Sequence, residues 1–215
     1  GVGSIGALSV ELMQIGGDLW AFVGGSTAGL RIVKVSDPST PEVLDLDLPV
    51  GPYESASGVA LHESRNGNKY AYVAAGGTVY VFDISNPRAA GRVGVLAVGK
   101  SLARVTATES ALIVGTVGPD DVRIFDLSTP EAPEYQGSLS GYSPGLAARG
   151  DWLYIARGTS GLHVVDISEP IAPHVIATTP TPGSVLSVAI SGDWAVLGDN
   201  DTVFDTVKLH PTPEP

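Results

Sequence analysis

The sequence contains no cysteine, which excludes disulfide bonds and thiolate metal sites from the chain. It also has few charges: 16% of its residues are charged and 43% are hydrophobic, a balance that predicts a packed core rather than disorder. No apolar run approaches the roughly 18 residues that a membrane-spanning helix requires. We therefore expect a folded domain with no transmembrane span in the visible chain.

Basic residues are scarce as well. The chain has 12 Lys and Arg against 23 Asp and Glu, which gives a formal net charge of −11. No local cluster of Lys or Arg offsets this balance, and an acidic surface repels phosphate backbones. Nucleic acid is therefore excluded as an expected partner.

Glycine and proline, by contrast, are plentiful, at 27 and 16 of 215 residues, and they are spread along the chain. Such spacing is typical of many short strands separated by turns. Helical periodicity is absent, and proline recurs too often for long helices. The sequence thus favours an all-β fold.

One segment recurs along the chain, and each copy is an apolar strand that ends in a Ser-x-Pro turn. The four clear copies read GLRIVKVSDPSTPEVL from Gly29, GTVYVFDISNPRAAGRV from Gly77, DVRIFDLSTPEAPEY from Asp121 and GLHVVDISEPIAPHVI from Gly161. Their turn serines, Ser36, Ser85, Ser128 and Ser168, lie 49, 43 and 40 residues apart. A weaker fifth copy reads TVFDTVKL, in which we align Asp205 with Asp166 of the fourth copy. Repeats of this length are typical of propeller blades.

A second landmark has the same period. A Gly-Asp turn precedes a short apolar strand that begins at or next to Trp20, Trp152 and Trp194, and Tyr70 and Ala111 fill that position in the other copies. Because these residues share one repeat position at the start of an apolar strand, we interpret the tryptophans as core residues rather than a sugar-binding platform.

These landmarks predict a β-propeller of five four-stranded blades, since five copies in 215 residues give 43 residues each. The expected units are residues 7–50, 55–99, 102–140, 144–180 and 184–209, followed by a proline-rich tail at 210–215. The last unit supplies three strands, so we expect residues near Val2 to Leu8 (with 1–6 assigned to the last unit) to add its outer strand and close the ring. The alternative is that the chain is part of a larger propeller.

The strand with its V-x-D-[IL]-S-x-P continuation resembles the LVIVD repeat, a propeller repeat of bacterial and archaeal surface or secreted proteins. Asp83, Asp126 and Asp166 carry the motif, and the first copy departs from it with Lys34. The resemblance implies a propeller and an extracytoplasmic protein, and it implies no shared catalytic motif. We interpret the repeated aspartates as acceptors of hydrogen bonds from the turn rather than as an acidic site.

No catalytic or metal-binding constellation is evident. The four histidines, His62, His163, His174 and His210, occupy different repeat positions, and none is spaced from another as zinc ligands are. The chain also lacks a G-x-S-x-G elbow, a P-loop and an H-E-x-x-H motif. We therefore expect a protein that is not an enzyme.

The loops between the second and third strands differ most from blade to blade, and propellers bind ligands on such loops. The candidate binding residues in these rim loops are Ser26, Thr27, Asp120, Asp121, Arg157, Thr159 and Asn200. Asp199 and Asp201 form a candidate calcium pair, since hard cations prefer oxygen ligands. A solvated acidic turn is the interpretation we favour for that pair, and no other cofactor is expected.

The leading functional hypothesis is a non-catalytic extracytoplasmic module that binds other proteins, as a subunit of a surface complex or larger assembly. We expect a leader to have been removed, because the chain begins at Gly1. The first alternative is a propeller that binds a small ligand or carbohydrate through its rim loops. The second is a hydrolase whose site lies in the central channel and combines His and carboxylates from several blades.

Overall fold

The protein is a five-bladed β-propeller, seen in a computed structural model that describes residues 7–25, 29–51, 55–116, 122–141, 143–200 and 205–209. Five antiparallel sheets follow one another along the chain. Consecutive first strands contact each other from blade one to blade five, so they form the inner ring around the axis. No helix among these residues is long and apolar enough to cross a membrane.

The first four sheets each contain four strands in chain order. Blades one and two comprise β1 (Ala7–Ile15), β2 (Asp18–Gly25), β3 (Gly29–Lys34), β4 (Glu42–Val43), β5 (Ala56–Glu63), β6 (Lys69–Ala75), β7 (Thr78–Asp83) and β8 (Gly91–Ala97). Blades three and four comprise β9 (Leu102–Ala107), β10 (Ala111–Thr116), β11 (Val122–Asp126), β12 (Glu134–Leu139), β13 (Gly145–Arg149), β14 (Trp152–Ala156), β15 (Leu162–Asp166) and β16 (His174–Thr179). A short 3₁₀ turn, Pro87–Ala89, connects β7 to β8.

Blade five has three strands in the described residues: β17 (Val185–Ser191), β18 (Trp194–Asp199) and β19 (Asp205–Lys208). The strand that we expect to complete it falls mainly on residues 1–6, which lie outside the described residues. Of that expected strand, Ala7 and Leu8 belong to β1 of blade one. Residues 210–215, the expected tail, also lie outside the described part.

The hydrophobic core lies between the blades, because most second and third strands are apolar on both faces. We call the boundary between two consecutive blades a seam. Four clusters of buried side chains fill the seams from blade one to blade five, and they contain for example Phe22 with Phe82, Tyr72 with Leu112, Ile113 with Leu153, and Tyr154 with Leu197. Packing between blades thus holds the fold together.

Candidate functional site

Each blade presents two ends, and the sequence at one end is more uniform from blade to blade than the sequence at the other. We call the end with the Gly-Asp and Ser-x-Pro turns the turn end, and the end with the loops between second and third strands the loop end. At the turn end, main-chain N–H groups of Ser85, Ser128 and Ser168 donate to the carboxylates two residues earlier at 2.9, 2.7 and 2.9 Å. The interpretation of the repeated aspartates as turn acceptors is therefore confirmed.

Hydrogen bonds from the turn also stabilise the charged form of these carboxylates. The pKa of Asp126 lies below its usual range. The main cause is the hydrogen bond from the Ser128 hydroxyl, and the second is the hydrogen bond from the Ser128 main-chain N–H. The Ser168 hydroxyl, at 2.6 Å, does the same for the pKa of Asp166. These aspartates are thus occupied in building turns in blades three and four.

The two terminal blades carry lysine where the others carry aspartate. Lys34 pairs with Trp20 in the strand register, and Lys208 pairs with Trp194, as Asp166 pairs with Trp152. The alignment of Asp205 with Asp166 is therefore wrong by three residues. In blade one, Asp18 supplies the missing carboxylate: its Oδ1 accepts from the Ser36 hydroxyl at 3.1 Å, and its Oδ2 lies 2.7 Å from Lys34 Nζ.

The residue that follows the proline of the turn reaches back to the preceding blade. The Arg88 guanidinium forms a bidentate pair with Glu42 at 2.7 Å and lies 5.7 Å from the centre of the Trp20 ring. The Tyr70 hydroxyl donates to Glu131 of the next blade. The turns of blades two and three therefore cover Trp20 and Tyr70, the aromatic residues near the start of the second strand in the blade before each turn.

The contact with a turn of the next blade determines how far the tryptophans at this repeat position are buried. Trp20 has an exposed fraction of 4%, and Tyr70 at the same position has 2%, as expected for core residues. Trp152 is half-buried and packs against the seam between blades four and five. Trp194, however, is 46% exposed, so the interpretation as a core residue is wrong there.

The predicted rim loops are partly outside the described residues. Ser26, Thr27, Asp120, Asp121 and Asp201 fall in undescribed segments. The remaining predicted residues are Arg157, Thr159, Asp199 and Asn200, which the structure does describe.

The described rim residues come from two blades that meet at Val185. Gly158, next to Arg157, exchanges main-chain hydrogen bonds with Val185, and Val185 pairs with Asp199. The Asn200 N–H donates to the Ser184 carbonyl at 3.2 Å. The structure therefore brings these four residues to one rim. In the described part of the chain, no group of three or more His, Asp or Glu side chains is arranged to hold a metal ion.

A cavity lies at the turn end of the seam between blades two and three, and sequence reasoning missed it. We call it the turn groove, and its volume is about 600 Å³. It is lined by the β5–β6 turn, the β9–β10 turn and the Ser-x-Pro turn of blade three, and the residues used below are His62, Arg65, Tyr70, Glu109, Ser110 and Glu131.

His62 forms the floor of the turn groove. Its side chain is 3% exposed, and Nδ1 lies 3.1 Å from the Thr108 carbonyl oxygen. Burial lowers the pKa of His62, although the charges of Glu109 and Glu63 act in the opposite direction. The imidazole is therefore neutral at pH 7, and its Nδ1–H donates to the main chain.

The walls of the groove carry more negative than positive charge. Glu109 is exposed, and Glu131 accepts from Tyr70 while keeping capacity for further donors. Arg65 is the basic residue of the lining. A second cavity of about 500 Å³, at the inner ends of blades two, three and four, shares His62 and Glu109 with the groove. The site therefore presents oxygen acceptors to a ligand that donates hydrogen bonds.

The repeat pattern gave no signal for this groove. His62 aligns with Met13 in strand register, and Glu131 aligns with Arg88, so neither looks special in its own blade. The groove forms where blade three covers blade two, a contact between segments more than 40 residues apart. The one available signal was that these positions differ between the copies.

A family description, LVIVD repeat, matches residues 15–44, 56–94, 140–181 and 182–207. These matches fall on blades one, two, four and five, and together they cover more than half of the chain. No protein of curated description matches the sequence.

Several solved structures are similar in fold. The Cps50 (Swd1) β-propeller domain of Myceliophteria thermophila superimposes with a TM-score of 0.68 at 14% identity, covering 100% of this chain and 69% of that one. The computationally designed Ika8 protein gives 0.60 at 13%, with 93% and 58% covered. The designed Ika4 protein gives 0.52 at 17%, with 71% and 91% covered. The chain thus spans little more than half of Ika8, and these similarities show the fold alone.

Proposed function

Because the chain belongs to the LVIVD-repeat family, we propose that it is a non-catalytic module that binds other proteins within a larger extracytoplasmic assembly. The observation that carries the proposal is the turn groove, whose walls present Glu109 and Glu131 above a neutral His62. Such walls fit a Lys or Arg side chain on an exposed segment of a partner protein. The net charge of −11 attracts a basic partner over longer range.

Binding by the groove can be tested with a displayed library of random peptides and the wild-type protein. We expect the enriched peptides to contain Lys or Arg, and Glu109→Gln to weaken their binding about tenfold, equivalent to ~1.4 kcal/mol. Glu109 is suited to the test because it is exposed, so its substitution leaves the fold intact. Added salt should weaken binding as well.

The matched control is Glu134→Gln, the same change at another exposed glutamate of blade three, on β12 and outside the groove lining. Its dissociation constant should stay within about twofold of wild type. Equal affinities for the two variants would show that the groove does not bind the peptides, and the proposal would then fail.

The non-catalytic part of the proposal is supported by the surroundings of His62. Within the described part of the chain, the imidazole is bonded to the Thr108 carbonyl and not to a carboxylate or a hydroxyl. A general base acting on a nucleophile requires such a partner within reach. A panel of chromogenic esters, phosphates and glycosides should show no turnover, and turnover that disappears in His62→Gln would contradict the proposal.

The extracytoplasmic location is supported by the resemblance to repeats of surface and secreted proteins. Fractionation of the source cells, followed by immunodetection of the chain, tests it directly. We expect the protein in the cell-surface or culture-fluid fraction. Detection in the cytosol alone would contradict this part of the proposal without affecting the groove.

A second candidate function is favoured by the rim that Arg157, Thr159, Asp199 and Asn200 form where blades four and five meet. A polar rim of this kind suits a small polar ligand such as a carbohydrate. Binding to a glycan array that is lost in Thr159→Ala and retained in Glu109→Gln would favour this function over the first.

A further inference from the structure

The second cavity, of about 500 Å³, lies where the first strands of blades two, three and four end. We call it the axial pocket, because those strands belong to the inner ring. Its apolar lining consists of one half-buried residue from each blade, namely Leu61, Ala107 and Ala148. These three occupy one repeat position, since each pairs with the second residue of its neighbouring segment: Ala71, Leu112 and Leu153. Equivalent residues of three consecutive blades thus form a single pocket.

Arg149 is the cation of the axial pocket. It is exposed at the end of β13, and its Nη1 donates to the Gly192 carbonyl of blade five. A guanidinium carries five N–H donors, so one such bond leaves donors for a ligand. Among the described residues, Arg149 forms no salt bridge. The pocket therefore offers a positive group that no described carboxylate neutralises.

The carboxylates of the axial pocket lie on the other two blades. Glu63 of blade two is engaged by Lys69, whose Nζ lies 3.0 Å from Glu63 Oε1. Glu109 of blade three is exposed, and in the part of the chain that the structure describes it forms no salt bridge. Glu109 and His62 line the turn groove as well, so the two cavities meet at these residues. We call the two cavities together the turn-end trough.

The charges along the turn-end trough follow a fixed order. Glu131 lines only the turn groove, Glu109 lines both cavities, and Arg149 lines only the axial pocket. A partner segment whose Lys or Arg binds in the groove therefore reaches the pocket past Glu109 and meets Arg149. We propose that this segment places an Asp or Glu side chain on Arg149, at a fixed spacing from its basic residue. The inference rests on the proposed function, because it extends the segment that the groove binds.

Arg149 makes the trough selective among basic segments. The net charge of −11 attracts any basic segment over longer range. A segment with basic residues alone would bring a second cation to Arg149, and like charges oppose such binding. A carboxylate at the same place would accept charge-assisted hydrogen bonds from the guanidinium. Arg149 therefore favours segments that carry a basic and an acidic residue together.

Selection from a displayed library of random peptides, with wild type and Arg149→Gln as parallel targets, tests the proposal. We expect both proteins to enrich Lys or Arg, and only the wild type to enrich Asp or Glu at a constant spacing from it. In one enriched peptide, replacing that acidic residue by its amide should weaken binding to the wild type about three- to fivefold, as for an exposed ion pair. Binding of the same two peptides to Arg149→Gln should not differ.

The matched control is Arg92→Gln on β8, which removes the same charge from another exposed arginine outside both cavities. This variant should enrich the same acidic residue as the wild type, and circular dichroism should show both variants folded. Equal selections by wild type and Arg149→Gln would overturn this inference, while dependence of binding on Glu109 would still support the proposed function. Enriched peptides without Lys or Arg would overturn both.

Discussion

Blades two and five are built from the same repeat, yet their second strands are buried differently. In β6 every residue from Tyr70 to Ala75 is buried, so both faces of the strand are in the core. In β18 Ala195 and Leu197 are buried, Val196 is half-buried and Trp194 is exposed. The difference follows from the neighbours, because blade two lies between two blades, whereas among the described residues the buried cluster of blade five joins it to blade four alone. The burial of a residue in this fold therefore depends on the blades that pack against it more than on its own strand.

The largest effect is expected at Tyr72, which is fully buried in the seam between blades two and three. Tyr72→Ala removes a large ring and the hydrogen bond that its hydroxyl donates to the Pro130 carbonyl at 3.0 Å, so it should cost about 3–5 kcal/mol. Val196→Ala, at the same repeat position in blade five, should cost about 1 kcal/mol or less. Urea denaturation followed by circular dichroism measures both. Equal losses would show that the two blades are packed alike.

A smaller effect on the free energy of unfolding is expected when valine is replaced by alanine at two equivalent repeat positions, Val59 and Val10. Val59→Ala should cost about 2 kcal/mol, because it removes two buried methyl groups and leaves a cavity. Val10→Ala should change the unfolding free energy by less than about 0.5 kcal/mol, because Val10 is 57% exposed. Denaturation at low protein concentration makes the comparison, and a large loss at Val10 would mean that blade one is covered within a single chain.

The smallest effect concerns a turn of an inner blade. Asp166→Ala should cost about 1 kcal/mol at pH 7, because the Ser168 N–H and hydroxyl lose an exposed acceptor. The pKa of Asp166 is lowered in the fold, so its contribution is present above the unfolded pKa of about 4 and is lost as the pH falls through the folded value.

Unfolding curves of Asp166→Ala and wild type should therefore converge in acid. The control is Glu169→Ala, one residue beyond Ser168 in the same exposed turn, which should follow wild type at every pH. A constant gap between Asp166→Ala and wild type down to pH 2 would contradict the role of the ionised carboxylate.

Much of the fold could be predicted because it depends on local chemistry that each blade repeats. The Ser-x-Pro turn with its preceding aspartate forms within a few residues, and the structure confirms the hydrogen bonds at Asp83, Asp126 and Asp166. The five-bladed propeller follows from the same period. In the last copy this signal is weak, and the pattern placed Asp205 where the strand register places Lys208.

The candidate site could not be predicted in the same way. His62, Glu109 and Glu131 belong to two blades, and they line one groove because of how blade three sits on blade two. The exposure of Trp194 likewise depends on which described residues pack against it rather than on its own repeat position. Repeat position predicted the burial of Trp20 and Tyr70, but it could not show that Trp194 at the same position is 46% exposed.

The contacts that reach back from each turn also have a consequence for folding. Between blades one and two, the Arg88 guanidinium contacts the Trp20 indole and the Glu42 carboxylate. Between blades two and three, the Glu131 carboxylate accepts from the Tyr70 hydroxyl. Near-identical repeats risk docking in the wrong order. If blade three docked on blade one in place of blade two, Glu131 would take the place of Arg88 beside Glu42 and Trp20. Two carboxylates would then face each other, and their repulsion would oppose this docking. We therefore expect these turn residues to favour docking between the correct neighbouring blades during folding.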